Sequence, residues 1–157
     1  MNTLNYSLTA ITAYLGLFAG FILAAIAKEE LKQGKRYFIF LQKIILLLVF
    51  VFLLAFIKLD YVLLLVILSF SVICLLRRKK GFNEVPYIYI ILSVIFYLAS
   101  KKPGLFVIES SLMFLYGLPT GSLAAKSGGK KERKRAVIDI LKNIVFVALA
   151  IVLYLIF

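Results

Sequence analysis

The chain has 157 residues, is 64% hydrophobic and carries 19 Lys plus Arg against 7 Asp plus Glu, for a net charge of +12. Ordinary soluble domains are about 45–50% apolar, so a mean hydropathy of +1.06 makes lipid rather than water the expected solvent. One cysteine, Cys74, excludes an intrachain disulfide and a cysteine metal cluster, and the lack of His removes the commonest general base and haem ligand.

The first expected membrane helix spans residues 8–27, LTAITAYLGLFAGFILAAIA, long enough to cross ~30 Å of hydrocarbon at ~1.5 Å per residue. Thr12, Gly16, Gly20 and Ala24 recur every four residues on it and form one smooth stripe. Small side chains let a second helix approach closely, so the stripe is read as a packing surface for the chain's own helices, with a partner chain as the alternative. Ala25-Ile26-Ala27 resembles a signal cleavage site, but Met1 to Thr9 has no basic residue and the positive charge follows at Lys28. Both points favour a retained helix.

Lys28 to Arg36 reads as a polar loop, with Glu29 and Glu30 pairing near Lys32 and Gly34 as the break. A second helix is expected at 37–57, with Lys43 reaching back to the headgroups. After the turn Lys58-Leu59-Asp60 comes a third helix, 61–76, which holds Cys74 as a small apolar residue. The basic run Arg77 to Lys80 leads to a fourth helix, 86–100, where Pro86 suits the first turn. Lys101 to Gly104 is a turn before a fifth helix, 105–125. The basic segment Lys126 to Arg135 follows, and then a sixth helix, 136–157. The expected fold is therefore all-α: a polytopic membrane protein, one compact bundle of about six transmembrane helices with short loops and no second domain.

Counted this way, the connections alternate in charge. One side receives 16 Lys and Arg, the other only Lys58, Lys101 and Lys102. Basic residues gather in cytoplasmic loops, which places both termini outside a cell (plasma) membrane. Lys130, Lys131, Arg133, Lys134 and Arg135 are then a topology anchor against anionic headgroups, each worth about 1 kcal/mol near the surface. Nucleic acid is not expected as a partner, because the run lacks interleaved aromatics for base stacking.

Two stretches could carry chemistry. Glu109 is an acid inside an apolar run, flanked by Ser110 and Ser111; such an acid is either paired near the outer interface with Lys101 or Lys102 or binds a proton or cation. Gly117 to Ser122 holds Pro119, which removes a backbone hydrogen bond and can kink or unwind a helix, and Tyr116 and Thr120 lie beside it as a candidate polar pocket. Asp139, Lys142 and Asn143 read as an interfacial anchor. No catalytic triad, zinc motif or phosphate loop is present, and no cofactor is expected. The sequence thus points to a non-enzymatic accessory, assembly or scaffold protein, as a homo-oligomer or in a larger membrane complex. The alternative is a small oligomeric channel or proton- or cation-linked transporter that uses Glu109 and the Pro119 break.

Overall fold

The computed structural model describes residues 2–57, 87–124, 137–138 and 140–156. Its elements are α1 (Thr3–Ile26), α2 (Lys28–Ile57), α3 (Tyr87–Ser100), α4 (Pro103–Ala124) and α5 (Val145–Ile156), with no strand among the described residues. Thr3–Ile26 and Gly34–Phe56 are long and apolar enough to cross a membrane. The expected third helix at 61–76 and the basic segment at 126–135 lie outside the described residues, as do Cys74, Pro86 and Asp139.

Several expected bounds change, beginning with α1, which starts at Thr3 rather than at residue 8. The polar stretch 28–36 is not a loop but the first turns of α2, and only Ala27 separates α1 from α2. Lys, Glu, Leu, Gln and Arg are good helix formers, so a charged stretch can extend a helix beyond its apolar part. Gly34, with no Pro beside it, is carried inside the helix at modest cost. Pro119 neither ends nor unwinds its helix: α4 runs through it to Ala124, as the expected bounds of the fifth helix imply. The last helix is interrupted where none was expected. Asn143 and Ile144 form a turn, with Asn143 N–H donating to Ile140 at 3.0 Å and Ile144 N–H to Leu141 at 3.1 Å.

α4 is the centre of the bundle. On one side it meets α1 backbone to backbone. A Cβ added at Gly16 or Gly20 would land on the carbonyl oxygens of Phe114 and Leu118, and one added at Gly117 would lie 2.7 Å from the Gly16 carbonyl carbon. A Cβ at Gly121 would strike the Leu17 carbonyl oxygen. Two Gly-x-x-x-Gly segments therefore face each other, Gly16/Gly20 and Gly117/Gly121. Small residues at a four-residue spacing leave no side chain in the way, which permits this approach. Ala24 is buried with them, whereas Thr12 is exposed and its hydroxyl donates to Leu8 O at 2.8 Å.

The contacts also fix helix directions. Gly16 pairs with Phe114 and Gly20 with Leu118, so α1 and α4 run parallel. Gln42 meets Thr120 while the Lys102 ammonium donates to the Phe56 carbonyl, so α2 runs antiparallel to α4. Phe96 packs on Phe106 at 4.9 Å and Tyr89 on Tyr116 at 6.2 Å, which makes α3 antiparallel to α4 as well. Tyr6 Oη donates to Ala150 O (3.2 Å) and Tyr14 Oη to Ile140 O (2.7 Å), so α5 opposes α1. Ser93 Oγ adds a bond from α3 to Phe146 O at 3.1 Å. Three side-chain donors from α1 and α3 thus hold the last helical stretch by its own carbonyls. Tyr14 fills Ile140 O, which the Asn143 turn deprives of its ordinary donor.

Candidate functional site

Some of the polar side chains on and just before α4 share one side of the helix, whereas Ser122 donates to Gly20 O of α1 and Ser110 and Ser111 bond their own helix. Lys102, Glu109 and Tyr116 are spaced seven apart, and Thr120 follows four later, spacings that return to one side of a helix. Three of these positions are anchored, at two levels. At the lower end, Gln42 Nε2 donates to Thr120 Oγ1 at 2.9 Å and to Tyr116 Oη at 3.4 Å, and Thr120 Oγ1 donates in turn to Tyr116 O at 2.7 Å. All three side chains are buried. At the upper end, the Lys102 ammonium takes the Phe56 carbonyl in the last turn of α2, where a cation meets the negative end of the helix dipole.

Glu109 lies between these anchors, about 10 Å along the helix from each. It is 0% exposed, and neither carboxyl oxygen has a hydrogen-bond partner among the described residues. By the antiparallel register, the α2 residues level with it are Val49 to Leu53, all apolar. A lone carboxylate in such surroundings would cost several kcal/mol in lost hydration, and an unbonded neutral acid still costs about 1–3 kcal/mol. Against the described surroundings alone, burial favours the neutral acid over the carboxylate. What the site can do chemically is hold one proton.

The expected pairing of Glu109 with Lys101 or Lys102 is not made. Lys101 sits over the Tyr97 ring, 4.7 Å from its centroid, and Lys102 is committed to α2. Pro103 begins α4 two residues earlier than the expected helix, which sets Glu109 deeper, about 9 Å from the helix start. Ser110 and Ser111 do not join it: both donate to the Val107 carbonyl, at 3.0 and 2.8 Å. Tyr116 and Thr120 do come together, but through Gln42 rather than through an opening at Pro119. Lys130, Lys131, Arg133, Lys134 and Arg135 lie outside the described residues. Among the described residues no group of His, Cys, Asp or Glu is placed to hold a metal ion.

No known protein family, curated protein or solved structure matches this chain. The site therefore rests on its own geometry. Three participants escape a reading of the sequence. Gln42 is the polar residue just before Lys43, and the adjacent charge draws attention to the headgroups instead. Gly117 and Gly121 repeat the four-residue spacing of Gly16 and Gly20, but Pro119 between them suggests a break before it suggests a packing face. A cavity of ≈ 10 Å³ lies nearby, lined by residues that include Ala13, Tyr14, Leu17, Tyr89, Met113 and Phe146. That is room for about one water and not for a solute.

Proposed function

We propose that this chain is a multi-pass integral protein of the cell membrane that performs no catalysis and acts as an accessory, assembly or scaffold component through membrane partners. The membrane part rests on where the apolar surface lies. Every described helix exposes large apolar side chains, from Leu8 and Leu15 on α1 and Phe40 on α2 to Ile91, Leu115 and Leu155 on α3, α4 and α5. Apolar surface on all sides suits lipid and not water. The orientation rests on helix direction. α1 and α4 run one way and α2, α3 and α5 the other, so α2 ends at the level opposite to that where α3 starts. An odd number of crossings between them fits a helix at 61–76 and gives six spans. The joining segments at the level of Ala27, together with the first turns of α2, then carry most of the Lys and Arg, which favours that side as cytoplasmic and both termini as external.

The accessory role rests on one observation: the polar groups of the described helices do not converge with Glu109 on one site. Ser110 and Ser111 bond their own helix, Asn143 sits at a turn, and Gln42, Tyr116 and Thr120 satisfy one another. Affinity purification from native membranes in mild detergent, followed by native mass spectrometry, tests it. An oligomer or a hetero-complex is the expected species, and a lone monomer at every detergent concentration sinks the reading. A proton-linked transporter is the second reading, favoured by the unpartnered Glu109. Proton flux in proteoliposomes that Glu109→Gln removes would replace the first reading with the second.

A further inference from the structure

We propose that Glu109 is a proton-binding site whose occupancy is coupled to the α2–α4 contact: the proton is held while these helices are packed and leaves only when they separate. The coupling follows from where the carboxyl sits. It is completely buried, without a partner among the described residues, in an apolar stretch that two polar anchors bracket. The anchors are Gln42 with Thr120 and Tyr116 at one end, and Lys102 with the Phe56 carbonyl at the other. The bracket permits a defined opening, because both anchors are hydrogen bonds that water can replace, while the contact between them is held by apolar packing alone.

Among the described residues, no other ionisable group supplies a counter-charge at the level of Glu109. On α4 the remaining one between Pro103 and Ala124 is Tyr116; on α2 there is none from Ile44 to Ile57, with Lys43 beyond Gln42. The helices packed around α4 contribute Tyr6 and Tyr14 from α1 and Tyr89 and Tyr97 from α3. Ionisation in the closed contact would therefore strand a charge in an apolar medium. When the helices part, water enters, the O–H bond of the acid breaks, its electron pair stays on the carboxylate and the proton passes to water. Closure requires the reverse. The site takes a proton and no metal ion, since no second oxygen or nitrogen ligand stands beside it among the described residues. The inference holds whether the chain works alone or within a complex, so it stands apart from the accessory role.

The test uses the full chain in lipid nanodiscs, in a Cys74→Ser background. Infrared spectroscopy reads the carbonyl stretch of a neutral, unbonded carboxylic acid. Spin labels at Ala55→Cys and Val107→Cys, both exposed and close to the level of Glu109, read the α2–α4 separation. The acid band is expected at neutral pH in the parent and absent in Glu109→Gln. Raising the pH should remove the band and lengthen the label distance together, while Glu109→Gln keeps the short distance throughout. Three results would overturn the proposal: no Glu109-dependent acid band at neutral pH, loss of the band at constant label distance, or a band that persists to the alkaline limit at which the bundle remains folded.

Discussion

At the scale of single residues, burial without bonding is the costly condition. Glu109 contributes nothing that Leu would not, and its carboxyl forgoes hydrogen bonds that water would supply. Glu109→Leu is therefore expected to stabilise the bundle by about 1–3 kcal/mol in reversible detergent unfolding, and a destabilised variant would mean that the carboxyl has a partner. Tyr14→Phe runs the other way. It strips the Ile140 carbonyl of its side-chain donor at a helix interruption and should cost about 1 kcal/mol by the same measurement. An acid inside an apolar run is plain in the sequence; its isolation is not. Lys101 and Lys102 stand eight and seven residues away in the chain, close enough to promise a salt bridge. The cations go elsewhere because a helix C-terminus and an aromatic face satisfy them at the surface, without desolvation.

At the scale of helices, the α1–α4 contact depends on the absence of four side chains. A Cβ at Gly20 would meet backbone rather than a flexible side-chain end, so Gly20→Ile cannot be relieved by a rotamer change. It is expected to cost about 2–3 kcal/mol and to loosen α1, read as faster proteolysis or thermal unfolding in micelles. Gly104→Ala is the control. It has nothing within 4 Å, lies in the first turn of α4, and should be neutral or stabilise by up to about 1 kcal/mol. Half of this interface was legible, since Gly16 and Gly20 announce a close approach. The other half was hidden by Pro119, whose local effect on a helix is strong in principle and is absorbed here inside a well-packed one. The polar start of α2 misleads for a related reason. Charge reports where water is, not where a helix ends.

At the scale of the molecule, charge and hydropathy carry the architecture, because a membrane leaves few ways to satisfy a backbone. The all-helical fold and two long apolar helices follow from composition alone. The pairing of helices does not, since any apolar helix can lie beside any other and only particular contacts choose among them. Cysteine labelling checks the whole arrangement. In the Cys74→Ser background, Pro103→Cys should react with an impermeant reagent from outside intact cells and Gly129→Cys should not; reaction at 129 reverses the topology. The tyrosine clamps have a further consequence, one of timing. Tyr6 waits for a carbonyl 144 positions later and Tyr14 for one 126 positions later, while α4, the other close partner of α1, is also far downstream. The ribosome thus delivers α1 long before the helices that complete it, and the nascent chain must keep Gly16 and Gly20 uncovered or shielded by something else until α4 has been made. A chain stopped before position 140 should be recognised as unfinished and cleared by membrane proteases.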